Sequence, residues 1–208
     1  MAYNRGFYVK QVGSRGDLYV DATLTIVGGA GGEGGRDAQL GAQGYSGDTL
    51  TGVLTINLND SFKIYPGTGG LHPDNWQYEQ LPGGTMTLGY NGGYGGPSGP
   101  SGFSGSGGSG GAATAVTYAD GTLFAVAGGG GGGGGGGQFT PGYGQQTGYT
   151  STPVGGNGPS RGGDGGGAGG GGGGYPYGGA AGAIVPGDGG SYSGVNGQSL
   201  VPSGFTSS

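Results

Sequence analysis

The side chains able to carry chemistry are few and scattered. His72 is the single histidine and there is no cysteine, so thiolate and histidine-pair metal sites, disulfides and cysteine nucleophiles are absent. Eleven acidic residues are spread along the chain, with no pair at a spacing suited to acid–base catalysis. Glycine matches to a dinucleotide-binding fingerprint are plentiful. That site, however, needs a helix N-terminus to hold the pyrophosphate, and no stretch has a 3.6-residue apolar repeat. No Gly-Lys-Ser/Thr follows a glycine loop, so there is no P-loop. Arg15-Gly16-Asp17, Asn59-Asp60-Ser61 and Arg161-Gly162-Gly163-Asp164 match an integrin tripeptide, a glycosylation sequon and part of a calcium-binding repeat. In so glycine-rich a chain, chance and turn formation account for all three. The expectation is a protein that is not an enzyme, with no catalytic residues, no metal and no cofactor.

Contact chemistry is better represented. Leu71 to Gln80 is bracketed by Gly69-Gly70 and Gly83-Gly84 and holds His72, Asn75, Trp76 (the only tryptophan) and Tyr78. Residues 138–153 present Phe139, Tyr143, Gln145, Gln146 and Tyr149, and Tyr175, Tyr177 and Tyr192 add further rings. Tyrosine and tryptophan among Ser, Gly and Asn make adaptable binding loops, because rigid rings give contact area at low entropic cost. Two roles stay open for these rings. They contact a receptor, or they cap glycine segments and pack subunits of a homo-oligomer.

The elements that must position these loops are unusual. Of 208 residues, 67 are glycine, whereas six are basic and eleven acidic. Helix is disfavoured, since each interior glycine costs about 0.5–1 kcal/mol relative to alanine. A net charge of −5 without charge blocks opposes an expanded, disordered chain. The pI near 4.4 opposes nucleic acid, which needs a basic stripe. No apolar run approaches the ~18 residues of a membrane span, and the N-terminus reads as lacking a signal peptide.

Strands are expected where apolar and polar residues alternate. Leu18 to Val27 is one such stretch. Val53–Leu58 and Ser61–Tyr65 read as a hairpin about Asn59-Asp60, and Thr85–Leu88 as a short strand. Ala112–Tyr118 and Thr122–Ala127 read as a hairpin about Asp120-Gly121, a favoured turn pair. Beyond Ala127 regular strands are expected to stop.

Glycine spacing is regular. Gly96, Gly99, Gly102, Gly105, Gly108 and Gly111 recur every third residue, as do Gly29, Gly32, Gly35, Gly41, Gly44 and Gly47, with Ala38 filling the gap. Gly163, Gly166, Gly169 and Gly172 continue the habit, and Gly128 to Gly137 is uninterrupted. Three residues per turn is the period of an extended left-handed helix whose N–H and C=O groups project sideways. Packed side by side, such helices bond one another, and glycine on the contacting edge lets backbones approach. At ~3.1 Å per residue the ten-glycine run spans roughly 31 Å and the longer period-three runs roughly 50 Å. Eleven prolines and repeated interruptions argue against a collagen triple helix. The expected fold is all-β and irregular: short antiparallel hairpins combined with a bundle of polyglycine type II helices.

Three pieces in order resemble the glycine-rich domains of bacteriophage tail-fibre adhesins and related phage tail proteins. They are Leu24-Thr25-Ile26-Val27 running into Gly28–Gly32; Gly52–Leu58 followed by Asp60–Gly70; and Gly110–Thr114 through Asp120–Ala127 into Gly128–Gly137. The resemblance covers about Leu18 to Gly137. It implies packed polyglycine type II helices with loops at one end that touch a host receptor, an outer-membrane protein or a glycan. It also implies a virion location after assembly in the host cytoplasm. Residues 1–17 hold Arg5, Lys10 and Arg15 and are read as a segment attaching to other fibre or virion proteins, with a solvated N-terminal strand as the alternative. Residues 18–127 interleave hairpins with glycine tracts, and 128–208 carry glycine tracts, aromatic loops and a tail, continuous with 18–127. The competing expectation is a structural virion or filament subunit with no receptor. An ice-binding protein is a distant third, for want of a long Thr/Ala-only face.

Overall fold

Alternation along the first long strand sets the first sheet. Residues 9–10, 19–57, 59–73, 80–99, 104–159, 166–187 and 189–208 are described in this computed structural model. Among them all regular structure is strand: β1 (Val9–Lys10), β2 (Tyr19–Val27), β3 (Thr49–Asn57), β4 (Phe62–Tyr65), β5 (Thr114–Tyr118), β6 (Leu123–Ala127), β7 (Tyr143–Gln145), β8 (Tyr192–Ser193) and β9 (Phe205–Ser207). On β2, Ala22, Leu24 and Ile26 are buried while Asp21, Thr23 and Thr25 face solvent, as a half-buried strand requires. β2 and β3 pair antiparallel from Tyr19↔Asn57 to Val27↔Thr49, flanked by β1 and β9 in the order β1-β2-β3-β9. A second antiparallel sheet has the order β4-β5-β6, and β7 and β8 form a short parallel pair.

The two larger sheets share a core of Leu24, Ile26, Leu50, Val116, Ala125 and Ala127, closed by Phe62, Phe124 and Phe205. The Phe124 ring meets Phe62, Tyr118 and Phe205 at centroid separations of 5.6–5.7 Å, edge-on. Such pairs add about 0.5–1.5 kcal/mol beyond their buried area. A second cluster covers the other face of the β4-β5-β6 sheet, with Met86, Ala113, Ala115 and Val126 under Tyr65, Tyr90, Tyr175 and Leu200.

Glycine runs continue these strands into a block where hydrogen bonding leaves the plane of a sheet. Along 128–136 the N–H groups point in three directions in turn. Gly130, Gly133 and Gly136 donate to the carbonyls of Gly29, Gly32 and Gly35; Gly129, Gly132 and Gly135 donate to Gly173, Gly170 and Gly167. Gly128, Gly131 and Gly134 donate to Ser199 Oγ, Asn196 Oδ1 and Ser193 Oγ. The carbonyls rotate likewise, accepting from 42–48, 105–111 and 191–197, and all these bonds measure 2.8–3.1 Å. Every donor and acceptor of this buried run is therefore satisfied, as buried backbone must be.

Burial follows the same period. Runs 104–113, 128–137 and 166–174 are wholly buried and contain only Gly, Ser, Ala and no larger side chain. In the outer run 28–36 the glycines are buried or half-buried, and every third residue, Ala30, Glu33 and Arg36, faces solvent. Close approach is what demands glycine inside. A Cβ on Gly132 would fall on the Gly108 carbonyl oxygen, and one on Gly172 on that of Gly129.

Four expectations are corrected. Val53–Leu58 and Ser61–Tyr65 do not pair with one another: β3 lies in the first sheet and β4 in the second. The Asp60 carboxylate accepts both the backbone N–H and the side-chain Nδ2 of Asn57 (2.8 and 2.9 Å), closing a turn that passes the chain between sheets. Thr85–Leu88 is not a strand. Asn91 Oδ1 accepts the Met86 N–H, and Gly89, at φ +84°, completes a turn there. The period-three runs are not single rods of ~50 Å. The run 28–35 returns antiparallel as 42–48, with Gly31 and Gly34 donating to Tyr45 and Ala42. Tyr90–Gly96 likewise returns as 107–113, through Gly107→Gly96, Gly110→Gly93 and Ala113→Tyr90. Finally, strands continue after Ala127, since β9 in the tail is anchored by Phe205 packed over Gly52.

Candidate functional site

The block has two unlike ends. At one, β2 enters Gly28 and β6 enters Gly128, so the sheets, with β1 and β9 on their edges, lie here. At the other, reversals cluster at 36–41, 137–141 and 184–187, with Pro73 beside Gly35. Backbone bonds tie these loops to one another. Gln39 N–H donates to the Gly137 carbonyl (3.3 Å), Gly142 N–H to Leu40 (2.9 Å), and Gly190 N–H to Thr140 Oγ1 (2.9 Å).

The loop end exposes large apolar side chains from three different reversals: Leu40 at 66%, Phe139 at 69% and Ile184 at 42%. Beside them a cleft of about 220 Å³ is lined by Glu33, Arg36, Leu40, Gln43, His72 and Pro73. One apolar rim and one cleft with both charge signs are thus presented on a support whose backbone is hydrogen-bonded behind them. Among the described residues no group of three or more His, Asp or Glu could hold a metal ion.

The residues expected from the sequence to touch a receptor are divided by the fold. His72 and Phe139 reach the loop end. Tyr143 lies on the flank, half-buried, its ring tilted against Tyr192 at 5.0 Å. Tyr149 and Tyr177 lie toward the sheet end, about half exposed, tied through Tyr149↔Gly179 pairing and a bond from Gln198 N–H to the Tyr177 carbonyl. Tyr175 packs on Tyr90 at 5.8 Å over the second core. Burial, and then the neighbouring Tyr175, hold the Tyr90 phenol above its ordinary range, so it stays neutral at physiological pH. Asn75, Trp76 and Tyr78 lie outside the described residues, as do the N-terminal segment apart from Val9–Lys10 and, among the period-three glycines, Gly102 and Gly163. Gly99 is described and buried.

Sequence reasoning missed Leu40, Ile184 and Arg36. The usable signal was a break in the glycine spacing, Arg36-Asp37-Ala38-Gln39-Leu40 and Ala183-Ile184-Val185-Pro186, where a run must reverse. Two exposed carboxylates shape turns elsewhere. Backbone and then side-chain hydrogen bonds from Asn57 hold Asp60 below the usual carboxylate range, and those of Thr122 do the same for Asp120.

No protein-family model matches this chain, and no curated protein matches it.

Proposed function

We propose that the chain is a non-enzymatic tail-fibre or tail-tip protein of a bacteriophage, in which a bundle of polyglycine type II helices holds loops against a receptor on the host surface. The observation that carries this reading is the polarity of the molecule. An interior of glycine, serine and alanine, bonded in three directions with a period of three, separates a sheet end from an end where Leu40, Phe139 and Ile184 stand exposed. Period-three bonding between neighbouring runs, parallel (128–136 on 29–35) as well as antiparallel (on 167–173), suits a helix of three residues per turn. It does not suit a pleated sheet, whose groups project to two sides only.

In this reading the sheet end and the N-terminal region join other fibre or virion proteins, the chain travels on the virion, and the loop end binds an outer-membrane protein or a glycan. A structural subunit assembled through its glycine tracts is the second reading. It is weakened because the donors and acceptors of 128–136 are already used within the chain.

The test is a pull-down from host envelopes with a Leu40→Ser/Phe139→Ser double variant and, separately, Trp76→Ala/Tyr78→Ala. Loss of two central apolar anchors costs about tenfold or more in affinity. Undiminished capture by both variants, or no capture by the intact chain, overturns the receptor role.

A further inference from the structure

We infer that the flank of the molecule carries a groove for a neutral saccharide. Between residues 145–149, 195–201 and the end of β9 lies an open groove of about 520 Å³, a size typical of small-ligand sites. Part of the lining is apolar. Tyr149 is 53% exposed although pairing with Gly179 fixes its backbone, and Val201 also lines the groove. The polar part of the lining is held in place. The Asp48 carboxylate accepts from Ser199 Oγ at 2.6 Å and from Asn196 Nδ2 at 3.4 Å. Asn196 is itself tied to the Ser46 carbonyl and the Gly131 N–H, and it accepts Gln145 Nε2 at 2.9 Å.

Among the described residues this leaves Gln145 Oε1 and the whole Gln198 carboxamide without a partner in the chain, both lining the groove beside Asp48. A fixed carboxylate next to free amide donors and acceptors matches vicinal hydroxyls, each of which both donates and accepts. The exposed Tyr149 ring in the same lining supplies the flat apolar surface that the C–H face of a pyranose covers. The lining has no lysine, arginine or histidine, so nothing offsets the charge of a phosphate, sulfate or carboxylated sugar, and Asp48 repels one. Both Asp48 carboxylate oxygens are already engaged by Asn196 and Ser199, and no second carboxylate lines the groove, so a calcium ion would find too little charge there. The chemistry left is a neutral sugar. The groove is remote from Leu40 and Phe139, so this inference does not rest on the receptor reading.

The experiment is saturation-transfer NMR on the full chain with maltose, lactose and N,N′-diacetylchitobiose at about 10 mM, where millimolar affinities register, and with sialyllactose as the anionic comparison. Signal is expected from at least one neutral disaccharide and a weaker one from sialyllactose. Tyr149→Ala should lower affinity about tenfold, the loss of one central aromatic contact, and Tyr149→Phe should preserve it. Should Tyr149→Ala fail to fold by circular dichroism, Gln198→Ala, which breaks no bond within the chain, takes its place with the same expected loss. The Leu40→Ser/Phe139→Ser variant should bind sugar normally whatever becomes of envelope capture. Silence from all three neutral sugars, preference for sialyllactose, or binding that survives both Tyr149→Ala and Gln198→Ala overturns the inference.

Discussion

Replacing Gly132 by alanine adds one methyl group at the centre of the block. Its φ lies outside the left-handed region, so the substitution brings no backbone strain of its own. Elsewhere, a compatible Gly→Ala change stabilises by about 0.4–1 kcal/mol through the unfolded chain. Here the new Cβ would fall on the Gly108 carbonyl oxygen and press on that of Ser109, both parts of a buried backbone. Forcing a methyl into a filled interior costs about 1–3 kcal/mol. The shift also pulls on the bonds from Gly132 N–H to Gly170 and from Gly170 N–H to Gly108 (2.8 and 3.0 Å), each worth about 1 kcal/mol net. The sum, less the entropic gain, is a destabilisation of about 3 kcal/mol, a large part of the 5–15 kcal/mol typical of a domain. Equilibrium denaturation in guanidinium measures it, with Glu33→Ala, at an exposed third position, expected within about 0.5 kcal/mol of the parent. The opposite change, Ala168→Gly in a neighbouring buried run, should also destabilise, by about 1–2 kcal/mol, from a lost buried methyl and a freer unfolded chain. A Gly132→Ala variant as stable as the parent, or more so, refutes backbone-to-backbone packing.

Three further outcomes are expected. Gly121 turns the β5–β6 hairpin at φ +90° with open space around it, so Gly121→Ala should cost about 1–2 kcal/mol from conformation alone, read by chemical denaturation. Phe205→Ala should lower stability by about 2 kcal/mol, less than a full core truncation because the ring is only partly buried, and should free β9 from β3 in hydrogen-exchange mass spectrometry. Asp60 and Asp120 have folded-state pKa values below their unfolded ones, so their contribution is complete above the ordinary carboxylate range. It is lost as pH falls through the depressed values; acid unfolding of Asp60→Asn and Asp120→Asn variants should accordingly depend less steeply on pH.

Much of this architecture was written in local spacing. Alternation over Leu18–Val27 marked the buried face of β2, and Asp120-Gly121 marked the β5–β6 hairpin, because strand period and turn chemistry are properties of neighbouring residues. The triplets Gly28-Gly29-Ala30, Gly31-Gly32-Glu33 and Gly34-Gly35-Arg36 even announce which third of that run faces water. Partner choice was not local. Nothing in Val53–Tyr65 tells that β3 and β4 part company, since both halves alternate well and only the first sheet's need for β3 beside β2 decides it. The reversal at 36–41 and the antiparallel return of 107–113 on 90–96 were hidden because the threefold spacing continues in phase through them. The aromatic set was visible as composition, whereas its division between the loop end, the flank and the sheet end depends on how long each run is before it turns.

Native-state hydrogen exchange at the glycine amides, resolved by NMR, meets the central claim most directly. Gly129 to Gly136 should be protected as strongly as the paired amides of β2 and β5 and should exchange only with global unfolding. Exchange of those amides at the rates of an unstructured chain, with the strands still protected, would contradict it.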